Sequence, residues 1–235
     1  LGKWGVRLVV TPGTILEEDA LQAKEHNYLS ALWHDPGRAQ GGLAWLDVST
    51  GHWTGLASKN SQDLWAWVSK IDPQEILCPE GLSIPDQAAQ FRNRITWLPE
   101  KAFFDQRRGR DLVKETQKVA SLGPLDLEDK PGLIRCCGAL LGYLKQTQKQ
   151  SIEHMGSFQP LKLSKHLILD EVTERNLELF QRLDGGKGPG TLWSVLDDTK
   201  TPMGGRLLQE RLRHPWRELK HIQGTQDAVT FFVHD

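Results

Sequence analysis

The sequence lacks an excess of either charge and any long apolar run. Its 235 residues carry 29 Lys and Arg against 30 Asp and Glu, a formal net charge of −1. Phosphate neutralisation by basic side chains supplies most of the affinity for nucleic acid, so tight DNA or RNA binding by this chain alone is not expected. No stretch approaches the roughly 18 apolar residues of a membrane-crossing helix. A hydrophobic fraction of 38% and a charged fraction of 25% are typical of a folded globular protein.

Cysteine is scarce, and no secretory signal is visible. Cys78, Cys136 and Cys137 cannot all pair within the chain, and a bridge between the two adjacent residues would be strained. This favours a reducing, cytoplasmic setting. The sequence begins at Leu1 and shows no basic stretch followed by an apolar run. We therefore interpret it as an excised or processed fragment.

Motifs for nucleotide or zinc binding are also missing. The glycine cluster at residues 185–190 surrounds Lys187, but Gln181 stands where a P-loop has its first glycine and Gly188 follows the lysine. No Cys-x-x-Cys or His-Glu-x-x-His occurs, so zinc ligation has no local support. The cluster is predicted to be a flexible loop.

Apolar periodicity predicts a mixed sheet in the first part of the chain. Strands are predicted at residues 4–10, 27–33, 42–49, 52–57, 75–78 and 95–98. Turn residues at 35–37 and 50–51 join the second, third and fourth of these as antiparallel neighbours. Ser61 is predicted to cap a helix that Asp72-Pro73 ends, and residues 85–94 a short one. A meander followed by alternating strands and helices predicts an α/β sheet of ribonuclease H topology.

The clearest predicted helix begins at Pro131. Its apolar residues form one stripe, so it should pack on the core; they are Leu133, Ile134, Cys137, Leu140, Leu141 and Leu144. After about residue 150 only helices are predicted. They run from an Asp170 cap to about Leu183, from Thr201 to about Pro215, and over residues 225–234.

A sheet of this kind raises the possibility of a metal-dependent nuclease, which needs carboxylates that converge at strand ends to hold Mg²⁺. Asp35, Asp47 and Glu75 are the candidates. A non-catalytic scaffold module is a further alternative. The nine tryptophans are predicted to pack in the core or on a partner surface, because no basic groove accompanies them.

Two stretches resemble one family. Residues 10–14 (VTPGT) and 42–51 (GLAWLDVSTG) are similar to the beginning and second strand of the connector domain of the MutS DNA mismatch-repair family. Leu169-Asp170, residues 175–179 and residues 196–208 (LDDTKTPMGGRLL) are similar to the start of its core domain.

This resemblance implies an α/β ribonuclease H-like connector at residues 1–155, followed by an all-α segment at 156–235 that begins the core. The parent protein is expected to be a homodimeric, ATP-driven sliding clamp that recognises mismatched duplex DNA. ATP and Mg²⁺ would bind outside this chain, which has neither a Walker A sequence nor the family's Phe-x-Glu wedge. The resemblance thus implies a fragment without catalytic, cofactor or metal residues, whose connector docks a MutL-type matchmaker and contacts no membrane.

The matched motif is predicted to form a structural joint that relays ATP-driven movement. Its residues are Asp197, Asp198, Thr201, Pro202, Gly204 and Arg206. Thr201 and Pro202 would begin a helix, and the glycines would let another backbone approach closely. Arg206 and Arg211 are predicted to pair with acids such as Asp197 or Asp198.

Overall fold

The computed structural model describes residues 27–48, 50–147, 155–161, 166–167, 169 and 171–234. It divides into two compact units: a sheet unit that reaches to Leu161 and a helical unit formed mainly by the residues that follow. The strand predicted at residues 4–10 and the predicted cap Asp170 lie outside the described residues.

The sheet unit begins with the antiparallel meander that alternation predicts. Its strands are β1 (Tyr28–Asp35), β2 (Gln40–Asp47) and β3 (Trp53–Ala57). Strands β4 (Glu75–Pro79) and β5 (Ile95–Leu98) are parallel to β1, and β6 (Gln159–Pro160) is parallel to β3. The order across the six-stranded sheet is β5-β4-β1-β2-β3-β6. A mixed α/β sheet is thus confirmed.

Helices cover both faces of the sheet. Helix α1 (Ser61–Ile71) lies on the face that carries Leu43 and Ile76, together with a 3-10 helix at Asp86–Arg94. Helices α2 (Glu100–Phe103), α3 (Gln106–Gln117) and α4 (Pro131–Thr147) belong to the opposite side. The cap prediction for α1 was wrong by one residue: the Asn60 side chain accepts the N–H of Gln62, so Ser61 lies inside the helix.

Helix α4 is confirmed as the central core helix, and glycines let it approach its neighbours closely. A Cβ atom on Gly138 would lie 2.5 Å from the Cα of Gly109 in α3. One on Gly132 would lie 2.6 Å from the carbonyl carbon of Gly41 in β2. The backbones of α3, α4 and β2 therefore touch at positions where no larger residue fits.

The three cysteines are buried in this core. Burial raises the pKa of the Cys78, Cys136 and Cys137 thiols above its ordinary value. The Cys136 thiol donates to the Gly42 carbonyl over 3.1 Å. The predicted role of Cys137 as a small buried residue of the helix stripe is confirmed.

The helical unit contains α5 (Glu171–Asn176), α6 (Leu192–Leu196), α7 (Pro202–Arg213) and α8 (Leu219–His234). The helix predicted to reach Leu183 ends at Asn176. Glu178 adopts a left-handed φ of 46°, and the N–H of Leu179 bonds the Glu174 carbonyl at 3.1 Å, which closes the helix end. The last helix begins six positions earlier than the predicted residue 225, at Leu219.

Candidate functional site

The chain leaves the sheet unit through residues 155–161, here called the exit segment. Trp53 on β3 donates its indole N–H to the Gly156 carbonyl at 2.8 Å. The Gly156 N–H bonds the Gly51 carbonyl at 3.0 Å, and the Leu161 N–H bonds that of Gly55 at 2.9 Å. The exit segment, which contains the edge strand β6, is therefore held along β3 and the turn before it at both of its ends.

Helix α3 holds the same segment from another direction. The Gln117 amide donates to the Gly156 carbonyl at 3.0 Å and accepts the Phe158 N–H at 2.7 Å. Phe158 is buried and meets Trp53 edge-on, with ring centroids 4.7 Å apart. The exit segment is thus bonded both to the β3 region and to α3.

Sequence reasoning did not single out Trp53, Gln117 or Phe158 for this role. Trp53 lies 103 positions from Gly156, and Phe158 lies 41 positions from Gln117. No local pattern reports a hydrogen bond across such a separation. The sequence gives only a weak indication of this role: Trp53 is a tryptophan within a predicted strand.

The predicted joint motif forms a local hydrogen-bonded structure at the start of α7. The Thr201 hydroxyl accepts the Gly204 N–H at 3.1 Å, and Pro202 occupies the first turn, so the predicted cap is confirmed. The Asp197 carboxylate accepts the N–H of Thr199 at 3.2 Å and also its hydroxyl. The structure thus joins Asp197 to Thr199 and Thr201 to Gly204.

Other members of the motif have different neighbours from those predicted. Asp198 is exposed and pairs with Lys200, with an Nζ to Oδ1 distance of 2.9 Å. A Cβ on Gly204 would lie 3.2 Å from the Thr201 Oγ1 and 3.3 Å from the Thr199 Cβ, so its nearest neighbours are side chains. The Arg211 guanidinium lies over the Trp216 ring, 5.1 Å from its centroid. The pairing of Arg206 with an aspartate stays a prediction.

The three carboxylates proposed for a nuclease do not converge. Asp47 pairs with Tyr28 at the beginning of β1, whereas Asp35 ends that strand. Asp35 accepts the N–H groups of Gly37 and Arg38, which close the hairpin turn. Asp35 and Asp47 therefore lie at opposite ends of the sheet.

Asp47 and Glu75 lie at the same end but on opposite faces. Paired residues share a face, and Asp47 pairs with Tyr28 while Glu75 pairs with the next residue, Leu29. Glu75 accepts the Tyr143 hydroxyl and the Thr96 hydroxyl, each at 2.7 Å. Its carboxylate thus accepts from one buried and one partly buried hydroxyl. Within the part of the chain that the structure describes, no group of three or more His, Cys, Asp or Glu could hold a metal ion.

Most of the tryptophans in the sheet unit serve the core, as predicted. Trp33, Trp45, Trp53 and Trp65 are buried. Trp97 differs, since it is 42% exposed on the edge strand β5. Among the described helices, none combines the length and apolar character needed to cross a bilayer.

Comparison with known families identifies both units. Residues 27–157 match the family model of MutS domain II, and residues 172–235 match that of MutS domain III. The chain belongs to the MutS family. The first match lies within the sheet unit and the second within the helical unit.

Similarity extends over the whole chain. The DNA mismatch repair protein MutS of Oleidesulfovibrio alaskensis is 53% identical over 236 residues, which cover 100% of this chain and 26% of that protein. MutS of Nitratidesulfovibrio vulgaris is 52% identical over 235 residues, and MutS of Methanothrix thermoacetophila is 36% identical over 226 residues. The chain spans about a quarter of the length of these relatives.

Proposed function

We propose that this chain is the connector and the opening of the core of a MutS-type mismatch-repair protein. Identity of 53% over the whole chain to a MutS protein carries the proposal. A ribonuclease H-like connector fold is part of it. The sheet order supports that fold, because an antiparallel β1-β2-β3 meander is extended beside β1 by the parallel strands β4 and β5.

In this proposal the chain relays ATP-driven movement and catalyses no reaction itself. The parent is a cytoplasmic homodimer that recognises mismatched duplex DNA and becomes a sliding clamp when it binds ATP. ATP and Mg²⁺ bind outside this chain, which needs no cofactor. The exit segment supports the relay role because it is the last part of the sheet unit and bonds to Trp53, Gln117 and Gly55.

The relay is tested in the full-length parent with Trp53→Phe. This change keeps an aromatic ring beside Phe158 but removes the N–H donated to Gly156. We expect mismatch binding without ATP to be retained and ATP-triggered conversion to the sliding clamp to slow several-fold. The rate is measured as release of end-blocked mismatched DNA after addition of ATP.

The matched control is Trp33→Phe. Trp33 is also buried and also donates its indole N–H over 2.8 Å, but to Glu100 within the sheet unit. The two variants should lose comparable stability, and only Trp53→Phe should slow clamp conversion. Equal slowing in both would contradict a specific role for the exit segment.

The connector also docks a MutL-type matchmaker in this proposal. The native cysteines of this chain are buried, so once any exposed cysteine elsewhere in the parent is replaced by Ser, single cysteines introduced at exposed positions of this chain are labelled selectively. Gln90 and Arg107 are exposed in the sheet unit, and Arg175 and Lys187 in the helical unit. Each Cys variant of the full-length parent is tagged with a photo-cross-linker and mixed with MutL, ATP and mismatched DNA.

Cross-links to MutL are expected from the sheet-unit positions and not from the helical-unit positions. Cross-links from Arg175→Cys or Lys187→Cys alone would reject the connector as the docking surface. No cross-links from any position would favour the scaffold alternative. The nuclease alternative is less favoured because Asp35, Asp47 and Glu75 lie apart.

A further inference from the structure

Strand β5 forms one edge of the six-stranded sheet and leaves main-chain groups open on its outer side. The Leu98 carbonyl accepts the Glu80 N–H at 3.0 Å, so the main-chain groups of Leu98 point towards β4. Successive residues of a strand direct their N–H and C=O groups to alternate sides. The N–H and C=O of Trp97 therefore point outwards, and nothing in the part of the chain that the structure describes pairs with them.

An exposed aromatic side chain lies at the same position. Within the described part of the sheet unit, Trp97 is the exposed large apolar side chain. It pairs with Cys78, so it lies on the face of the sheet that α1 covers. The half-buried Ile84 and Ile95 pack against the apolar cluster of that face. The open edge thus combines free hydrogen-bonding groups with an apolar margin.

The two edges of the sheet differ in how they are protected from pairing. Exposed edge strands are usually protected by proline, by charged side chains or by a very short length. The other edge strand, β6, has two residues, and one of them is Pro160, which has no N–H. Strand β5 contains no proline and no charged residue. Its side chains are those of a strand that can accept a further neighbour.

A second copy of this chain is a poor occupant of the β5 edge. In a twofold pairing centred on Trp97, residue 95 would lie opposite residue 99. The Ile95 N–H already bonds the Arg92 carbonyl, and Pro99 has no N–H. Only the bonds between the Trp97 residues would form, and so small a contact is far below the roughly 1,200 Å² of a stable interface. An extended segment of another protein can also bond the outward Ile95 carbonyl.

We propose that an extended apolar segment of the MutL-type partner adds to β5 as a further strand. This inference rests on the proposed docking function of the connector and assigns its contact site. The segment exchanges both main-chain hydrogen bonds with Trp97, as in strand addition generally, and places an apolar side chain beside the indole. Tryptophan is enriched among the side chains that anchor protein interfaces.

Two variants of the full-length parent separate the main chain from the side chain. Trp97→Pro removes the indole and the outward N–H, and proline is tolerated at an edge position whose N–H faces solvent. Trp97→Thr removes the indole but keeps the N–H in a residue that favours strands. Affinity for MutL is measured by biolayer interferometry with ATP and end-blocked mismatched DNA present. We expect Trp97→Thr to weaken binding several-fold and Trp97→Pro to weaken it about tenfold further, because a main-chain hydrogen bond is lost as well.

The control is Lys59→Thr, at an exposed position that follows β3, which should bind MutL as the native protein does. Mismatch binding and ATP-triggered release of DNA, measured without MutL, should be unchanged in every variant. A change of either in Trp97→Thr would show that the edge contacts another part of the parent, and it would overturn the proposal. Equal MutL affinities of the Trp97→Thr and Trp97→Pro variants would also overturn it, while sheet-unit cross-links to MutL would still support the connector as the docking domain. Absence of those cross-links would reject the docking function itself.

Discussion

Single atoms decide the packing of α4 against its neighbours. Gly138→Ala would place a methyl group 2.5 Å from the Gly109 Cα, so backbone must move. We expect this variant to lose about 1–3 kcal/mol of unfolding free energy, as overpacked cores do. The measurement is urea denaturation of the full chain, followed by tryptophan fluorescence.

Gly142→Ala is the matched control in the same helix. Its new Cβ would lie 3.7 Å from the Phe103 ring, an ordinary contact distance. Alanine is a better helix former than glycine by roughly 1 kcal/mol, so this variant should be neutral or more stable. A loss of stability in both variants would show that the Gly109–Gly138 contact is not what excludes a larger residue from α4.

The Glu128 carboxyl makes a pH-dependent contribution to the stability of the fold. The hydrogen bond from Arg110 lowers the pKa of its carboxyl below the ordinary 4.5, and the N–H of Leu122 also bonds this group. A lowered pKa in the folded state stabilises the fold above the unfolded pKa, and this stability is lost as the pH falls through the folded pKa.

The difference in melting temperature between the native chain and Glu128→Gln should therefore be largest at neutral pH and shrink in acid. Thermal melts from pH ~7 down to pH ~2 measure it. Glu115→Gln is the control, because Glu115 also pairs with a basic residue, Lys145, yet its carboxylate bonds no backbone N–H within the part of the chain that the structure describes. A difference that grows in acid would contradict the assignment.

The buried thiols should be inert in the folded chain. Burial raises the pKa of Cys78, Cys136 and Cys137, and thiolate is the reactive form. We expect no reaction with a thiol reagent at pH ~8 until denaturant is added, when three groups react. Arg107→Cys provides the positive control at an exposed position. Reaction of native thiols at the rate of that control would contradict their burial.

At the scale of elements, local patterns predicted what local physics determines. The stripe from Leu133 to Leu144 indicated α4, and alternation indicated β1 to β3. The patterns failed at the ends of helices, which are determined by single hydrogen bonds. Asn60 caps α1 in place of the predicted Ser61, and the backbone becomes left-handed at Glu178, just after α5. The contacts of Trp53 and Gln117 with the exit segment join distant residues, and no period in the sequence encodes them.

Helix α7 depends on its cap. Thr201→Ala removes the side-chain acceptor of the Gly204 N–H and should cost about 1 kcal/mol. Thr201→Ser keeps the acceptor and should restore most of it. Amide hydrogen exchange in the first turn of α7 measures the change, and exchange there should accelerate only in the alanine variant.

Thr230→Ala is the control in α8. The Thr230 hydroxyl donates to the Gln226 carbonyl within the helix, and alanine is the better helix former there. Exchange in α8 should therefore stay constant or slow. Faster exchange at α7 in the serine variant would show that the hydroxyl acceptor is not what holds this helix end.

At the scale of the whole chain, burial is distributed unevenly. Two clusters of buried apolar residues lie in the sheet unit, one on each face of the sheet. In the described part of the helical unit Leu179 is the buried apolar side chain, and large apolar residues such as Val195, Met203 and Phe232 are exposed. Because apolar burial is the main source of stability, the helical unit should be the less stable of the two.

Heating should therefore unfold the chain in two steps, with the helical unit first. Amides of α8 should exchange faster than those of α4, whose side chains are almost all buried. Two variants assign the steps: Thr201→Ala should lower the temperature of the first transition only, and Gly138→Ala that of the second only. Calorimetry combined with hydrogen exchange measures both. If each variant moved a single shared transition, the two units would unfold cooperatively, and the separate packing of their cores would not govern the stability of the chain.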